Sequence, residues 1–213
     1  MINKNTKIYC SFAEEAGNVG CQVFNSAFNY YGLDAIYKSF SVNNIKSAVD
    51  SVRTLDIKGF AVTMPFKIEV IDYLDELEPG VQSIGAVNTV INDNGYLIGY
   101  NTDYLAAKEV LDECLGIDLY ILGNGGYSRA VQQAAKDLSY KPKIISRSNW
   151  KDIKDIKNSI VYNCTPVKKI KVDKSNKFID CIVSTPTGRR LSWIQASHQF
   201  KLYTGKELPI RSM

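Results

Sequence analysis

Two residues near the middle of the chain, Asn94-Gly95, constrain the fold most tightly. They stand between two β-prone runs, Ala86 to Asn92 and Tyr96 to Asn101. Asn-Gly in that setting is the strongest short signal for a two-residue type I′ hairpin loop. A loop of that length leaves no freedom of register. Asp93 must face Tyr96, Val90 must face Gly99, and Asn88 falls opposite Asn101. Asp103 lies two residues past Asn101 and shares its face if the strand continues. The pattern therefore gathers Asn88, Asn101 and Asp103 into one polar patch. Such groups are costly to bury without partners and well suited to hold a polar ligand. Asp103 also suits the N-cap of a helix from Tyr104 to Leu115, and the two roles are compatible.

Upstream, Gly59 to Thr63 is short, apolar and β-prone, and reads as a buried strand. Pro65 fits the first turn of a following helix, expected to reach about Leu77. Lys67 then falls in that same turn, where a cation opposes the positive end of the helix dipole. A lysine so placed suits proton donation and acceptance. A solvated surface lysine would show the same spacing.

The first half alternates strand and helix. Strands are expected at Lys7 to Phe12 and Ala35 to Phe40, and helices at Cys21 to Tyr31 and Ile45 to Leu55. That order suggests a mostly parallel sheet. Beyond the helix after Asp103, Asp118 to Leu122 reads as a buried strand that runs into Gly123-Asn124-Gly125-Gly126. A helix follows through about Leu138, with Ser128 in the third small position. Strand, glycine turn, helix is the context a dinucleotide fingerprint requires. The glycines would let backbone approach a pyrophosphate at a helix N-terminus. A plain glycine turn in an α/β unit reads the same way. The next strand, Lys143 to Ile145, ends in Ser146-Arg147-Ser148. An arginine at that strand end accommodates a 2′-phosphate, so Arg147 and its two flanking hydroxyls favour NADP over NAD.

Taken together, VTMPFK, IGAVNTV, GYLIGYNTD and GNGGYSRA resemble shikimate dehydrogenases, in that order and at that family's separations. The resemblance covers most of the chain, thins after Ser148 and returns near the C-terminus. It implies an α/β protein with an N-terminal, mostly parallel substrate domain and a reduced Rossmann-like dinucleotide-binding domain. The substrate-binding, catalytic domain is expected over 1–103 and 189–213, and the NADP-binding domain over 104–188. The implied activity is reversible, NADP-dependent reduction of 3-dehydroshikimate to shikimate. Lys67 and Asp103 are then the catalytic pair, with Thr63, Asn88 and Gln195 as substrate contacts.

The chain also departs from the family pattern. Two serines that usually hold the substrate carboxylate fall on Asn18, which keeps a donor, and on Gly20, which does not. A Gly-Met after Thr165-Pro166 is absent, as is the tyrosine of an Asp-x-x-Tyr motif at Asp180. A sizeable piece of the second domain is missing. The alternatives are therefore a homologue acting on a related polyol acid, such as quinate or an amino analogue, or a non-catalytic binding homologue.

Composition narrows the partners. The 213 residues are 45% hydrophobic and 23% charged, ordinary for a globular protein. Net charge is +4 with both signs interspersed, which makes no case for nucleic acid. The start, MINKNTKIYC, is too polar for a signal peptide, and no apolar run is long enough to span a membrane. The expected partner is a small cyclic hydroxy acid in the cytoplasm, with no nucleic acid and no membrane. Five scattered cysteines without a C-x-x-C pair read as reduced thiols, mostly in the core, and neither zinc nor a disulfide framework is expected. His198 is the only histidine, which by count argues against a histidine-based triad or metal site.

Overall fold

The structure is a computed structural model describing residues 2–209. The outermost residues of the expected first domain, 1 and 210–213, lie outside the described residues. The chain divides into two compact units. The first ends at Thr102 and resumes at Ala196; the second runs Asp103–Gln195.

The first unit is built on six strands: β1 (Lys7–Ala13), β2 (Ala35–Ser41), β3 (Gly59–Val62), β4 (Glu76–Leu77), β5 (Thr89–Asp93) and β6 (Tyr96–Tyr100). Their order is β2-β1-β3-β5-β6-β4. β2, β1 and β3 are parallel, as are β6 and β4, while β5 is antiparallel to both neighbours. The sheet is thus mostly parallel, with the hairpin as its antiparallel insert. Hairpin register is as expected: Asp93 pairs with Tyr96 and Val90 with Gly99. Asn94 and Gly95 both have positive φ, as a type I′ loop demands.

Alternation along the strands sorts two cores onto the two sheet faces. On one, Cys10, Phe12, Phe60, Val62 and Val90 meet Ile45, Val49 and Val52 of α2 (Ile45–Thr54). Asn44 caps that helix, accepting the Ser47 N–H at 2.8 Å. On the other, Tyr9 packs on Phe28 of α1 (Val19–Tyr30) and on Tyr203 of a C-terminal helix. A four-residue helix, α3 (Val81–Ile84), precedes the hairpin.

The second unit holds four parallel strands: β7 (Leu119–Leu122), β8 (Lys143–Ile145), β9 (Ile160–Asn163) and β10 (Lys177–Asp180). Their order, β10-β9-β7-β8, reverses direction about β7, as a doubly wound sheet does. One face is covered by α4 (Thr102–Asp112), α5 (Gly126–Asp137) and the start of α6 (Pro186–Thr204), whose Leu191 and Ile194 are buried there. The opposite face carries only a 3-10 segment, Arg147–Asp155, and the loop bearing Ile170 and Val172.

Two expectations need correction. The helix after Pro65 is not an α-helix: Met64 to Ile68 forms turns after a cis Met64–Pro65 bond, and only Glu69–Tyr73 winds, as 3-10. Two cysteines, Cys10 and Cys114, are buried, whereas Cys21, Cys164 and Cys181 are half-buried; none is in a disulfide. No helix among the described residues is long and apolar enough to cross a membrane.

Candidate functional site

In the first unit, β3 delivers the chain to Thr63, which is exposed, and Lys67 follows in the turn, half-buried. The turn is tied down by backbone. Thr63 N–H donates to Phe12 at 3.0 Å, and its carbonyl accepts from Phe66 at 2.9 Å. The Lys67 carbonyl accepts from Val87 N–H at 2.7 Å. Lys67 is therefore held by a tight loop packed between β3 and the segment before β5. The opposing helix dipole that the sequence suggested is not there.

Asn88 is 2% exposed and its side chain organises the base of the hairpin. Its Oδ1 accepts from Thr102 N–H at 2.8 Å and from Thr89 Oγ1 at 2.9 Å. Its Nδ2 donates to Thr102 Oγ1 at 3.0 Å. Asn101, also buried, donates to the Ala86 carbonyl at 2.8 Å. The expected extended strand does not continue: β6 stops at Tyr100 and α4 starts at Thr102. Asp103 is consequently the second residue of a helix rather than its N-cap or a strand neighbour of Asn101. It is 5% exposed and sits where a helix N-terminus favours an anion.

Gln199 also belongs to this network, donating to Thr89 Oγ1 at 2.8 Å. The family motif points to Gln195, which is half-buried and donates to the Ser192 carbonyl. Gln199 lies one helical turn further on. Asn18 precedes α1, exposed, without capping it through its side chain. Gly20 lies against Tyr37: a Cβ there would come within 2.9 Å of the tyrosine ring. Two surface concavities, of about 570 and 360 Å³, flank this end of the sheet. Asn18 lines the smaller; Lys67, Thr63 and Asn88 line neither.

In the second unit the glycine turn has the form a dinucleotide needs. Gly123 adopts φ +101, and a Cβ there would meet Thr165 at 2.7 Å. Gly125 opens α5 with no atom within 4 Å of a would-be Cβ, leaving backbone amides accessible at the helix N-terminus. Gly126 is the first residue of α5. Ser128 does not face a ligand: it is fully buried and its hydroxyl donates to the Gly123 carbonyl at 2.8 Å, locking the turn.

β7 and β9 end side by side, and Asn163 at the end of β9 is a residue the sequence reading missed. Fully buried, it accepts from Thr165 N–H at 2.9 Å and donates to Asp180 at 2.9 Å. At the end of β8, Ser146 and Ser148 share a 2.8 Å hydroxyl contact, and Asn149 accepts the Ser146 N–H. Arg147 between them is exposed, and its side chain makes no hydrogen bond or ion pair among the described residues. The groups fit a dinucleotide bearing a 2′-phosphate. Among the described residues no cluster of three metal-ligating side chains occurs.

Comparison with known proteins agrees with these features. Residues 19–90 match the family model described as the shikimate dehydrogenase substrate binding domain. A shikimate dehydrogenase-like protein of Haemophilus influenzae is 39% identical over 152 residues, which is 70% of this chain and 56% of the relative. A shikimate dehydrogenase (NADP(+)) of Pyrococcus furiosus is 42% identical over 136 residues, 62% of this chain and 50% of the relative. The chain thus spans 56% and 50% of the lengths of these curated relatives. A solved structure of a shikimate 5-dehydrogenase-like protein superposes with a TM-score of 0.83 at 30% identity, covering 100% of this chain and 96% of that one. With sequence and fold in agreement, the chain belongs to the shikimate dehydrogenase family.

Proposed function

We propose that this protein is a cytoplasmic NADP-dependent oxidoreductase that interconverts 3-dehydroshikimate and shikimate. The observation that carries the reading is the buried Asp103 at the start of α4, in a chain that keeps Lys67 in the VTMPFK turn. The name of the Pyrococcus relative supports the reaction and the cofactor.

In this reading Lys67 gives a proton to the alkoxide oxygen that forms on the substrate and takes it back in reverse. Asp103 accepts a hydrogen bond from that hydroxyl and favours the charged lysine. A positioned general acid of this kind contributes roughly 10²–10⁴ in rate. Thr63, Asn88, Gln195 and Asn18 are assigned to the polar groups of the cyclic hydroxy acid. Gly123, Gly125 and Gly126 are assigned to the pyrophosphate, and Ser146, Arg147 and Ser148 to the 2′-phosphate. Ser128 supports the turn. When bound, the nicotinamide supplies the hydride. Domain roles follow: the unit ending at Thr102 and resuming at Ala196 takes the acid, and Asp103–Gln195 takes the dinucleotide.

A second reading, action on quinate or an amino analogue, is favoured by Gly20, which offers no hydroxyl where the resemblance expects one. Fluorescence titration with NADPH and NADH, followed by shikimate, quinate and their keto forms, tests both. NADPH binding tighter than NADH binding, with turnover of shikimate, is the expected result. Dinucleotide binding without turnover of any acid would contradict it.

A further inference from the structure

Helical spacing puts Asp103, Ala106, Ala107 and Val110 on one face of α4. Those three apolar residues are buried in the cluster that holds Tyr162 of β9 and Val131 of α5, with Tyr127 packed against it. The Asp103 carboxylate is therefore turned toward β9 and the start of α5. There the hydroxyls of Tyr127 and Tyr162 meet at 2.9 Å. Tyr127 directly follows Gly126 of the glycine turn. Tyr127 is half-buried, with its hydroxyl against that of Tyr162. Burial raises both phenols well above the ordinary tyrosine range, and the Asp103 charge adds to the rise in each. Cys164, half-buried just past β9, is likewise raised by burial, then by Cys181 and Asp103. Both phenols are thus neutral donors beside a carboxylate. A pair of phenols spends one of its two protons on itself. The second proton needs an acceptor, and a carboxylate is the strongest kind.

We propose that the Tyr127–Tyr162 hydroxyl pair positions Asp103, its second proton directed at the carboxylate. This rests on the dehydrogenase reading only for its catalytic consequence. Because Tyr127 sits on the glycine turn, a displacement of that turn would be felt at Asp103.

Tyr127→Phe and Tyr162→Phe each delete one oxygen and keep the ring. In protein carrying isotope-labelled aspartate, the Asp103 carboxyl resonance is identified by its loss in Asp103→Asn. Either phenylalanine variant should move that resonance at neutral pH, and the double variant should add little, since each change breaks the same pair. Shikimate turnover should fall about tenfold in kcat, with KM for the dinucleotide within about twofold. A purely structural pair would lower the melting temperature and leave the resonance in place. An unmoved resonance in Tyr127→Phe overturns the proposal, even if Tyr162→Phe fails to fold. A resonance moved in the variants, alongside a wild-type protein that turns over no acid, would uphold the positioning and sink the dehydrogenase reading instead.

Discussion

Asn88 and Thr102 are joined three ways at the base of the hairpin. The amide oxygen of Asn88 takes the Thr102 N–H at 2.8 Å and its hydroxyl at 3.3 Å, and the amide nitrogen donates to that hydroxyl at 3.0 Å. Thr102 is the first residue of α4, so this side chain satisfies one of the amides a helix N-terminus leaves open. The next residue is Asp103. Asn88 thus has a structural duty that constrains how it can also serve a ligand.

Asn88→Ala should therefore cost stability as well as function. It leaves the buried Thr102 N–H without its acceptor and takes the amide partner from two threonine hydroxyls, worth about 2–3 kcal/mol. Urea unfolding measures this directly. A variant with unchanged midpoint would show the network to be dispensable.

The glycine turn allows stability and binding to be separated. Gly123→Ala meets both a positive φ and Thr165 at 2.7 Å, and should lower stability by about 1–3 kcal/mol. Gly125 has φ −90 and open space around it, so Gly125→Ala should leave the melting temperature nearly unchanged. It should nevertheless weaken NADPH binding, because the added methyl occupies the approach to the helix N-terminus. Thermal melts with and without NADPH check both outcomes.

Arg147→Ala should lower NADPH affinity by about tenfold or more and leave NADH affinity unchanged, as loss of a charge-assisted phosphate contact does. Equal losses for the two dinucleotides would remove Arg147 from the 2′-phosphate site. Fluorescence titration reads the ratio.

Acid should weaken the first unit through Asp75. Its carboxylate accepts from Leu97 N–H at 2.7 Å and pairs with Arg53 at 2.7 Å. The backbone bond first, and the arginine after it, hold the group below the ordinary carboxylate range. A depressed carboxylate stabilises the fold above its unfolded pKa of about 3.9 and loses that contribution as pH falls through the folded value. The side chain is 34% exposed, so solvent screening keeps the effect small. Urea midpoints of wild type and Asp75→Asn should differ near neutral pH and converge in acid. A constant gap would assign the difference to something other than ionisation.

The register of the hairpin was legible because a two-residue loop admits one pairing. The strand leading into Gly123 was legible because only glycine tolerates that φ beside Thr165. What sequence could not give was where extended chain turns helical. Asp103 keeps its polar role but reaches it from α4, since Asn88 holds Thr102 as the first residue of that helix. Lys67 was misread as helical because Pro65 looks alike at a helix start and in a turn. Gln199, Asn163 and the Tyr127–Tyr162 pair were invisible for a common reason. Their partners are remote in sequence, at separations of 110, 17 and 35 residues.

The central claim assigns the proton to Lys67. Its most direct test is steady-state oxidation of shikimate with NADP, followed by nicotinamide absorbance, in wild type and in Lys67→Ala. The account predicts turnover by wild type and a loss of at least about 10²-fold in kcat for the variant, with its melting temperature preserved. A folded Lys67→Ala that turns over at the wild-type rate would contradict it.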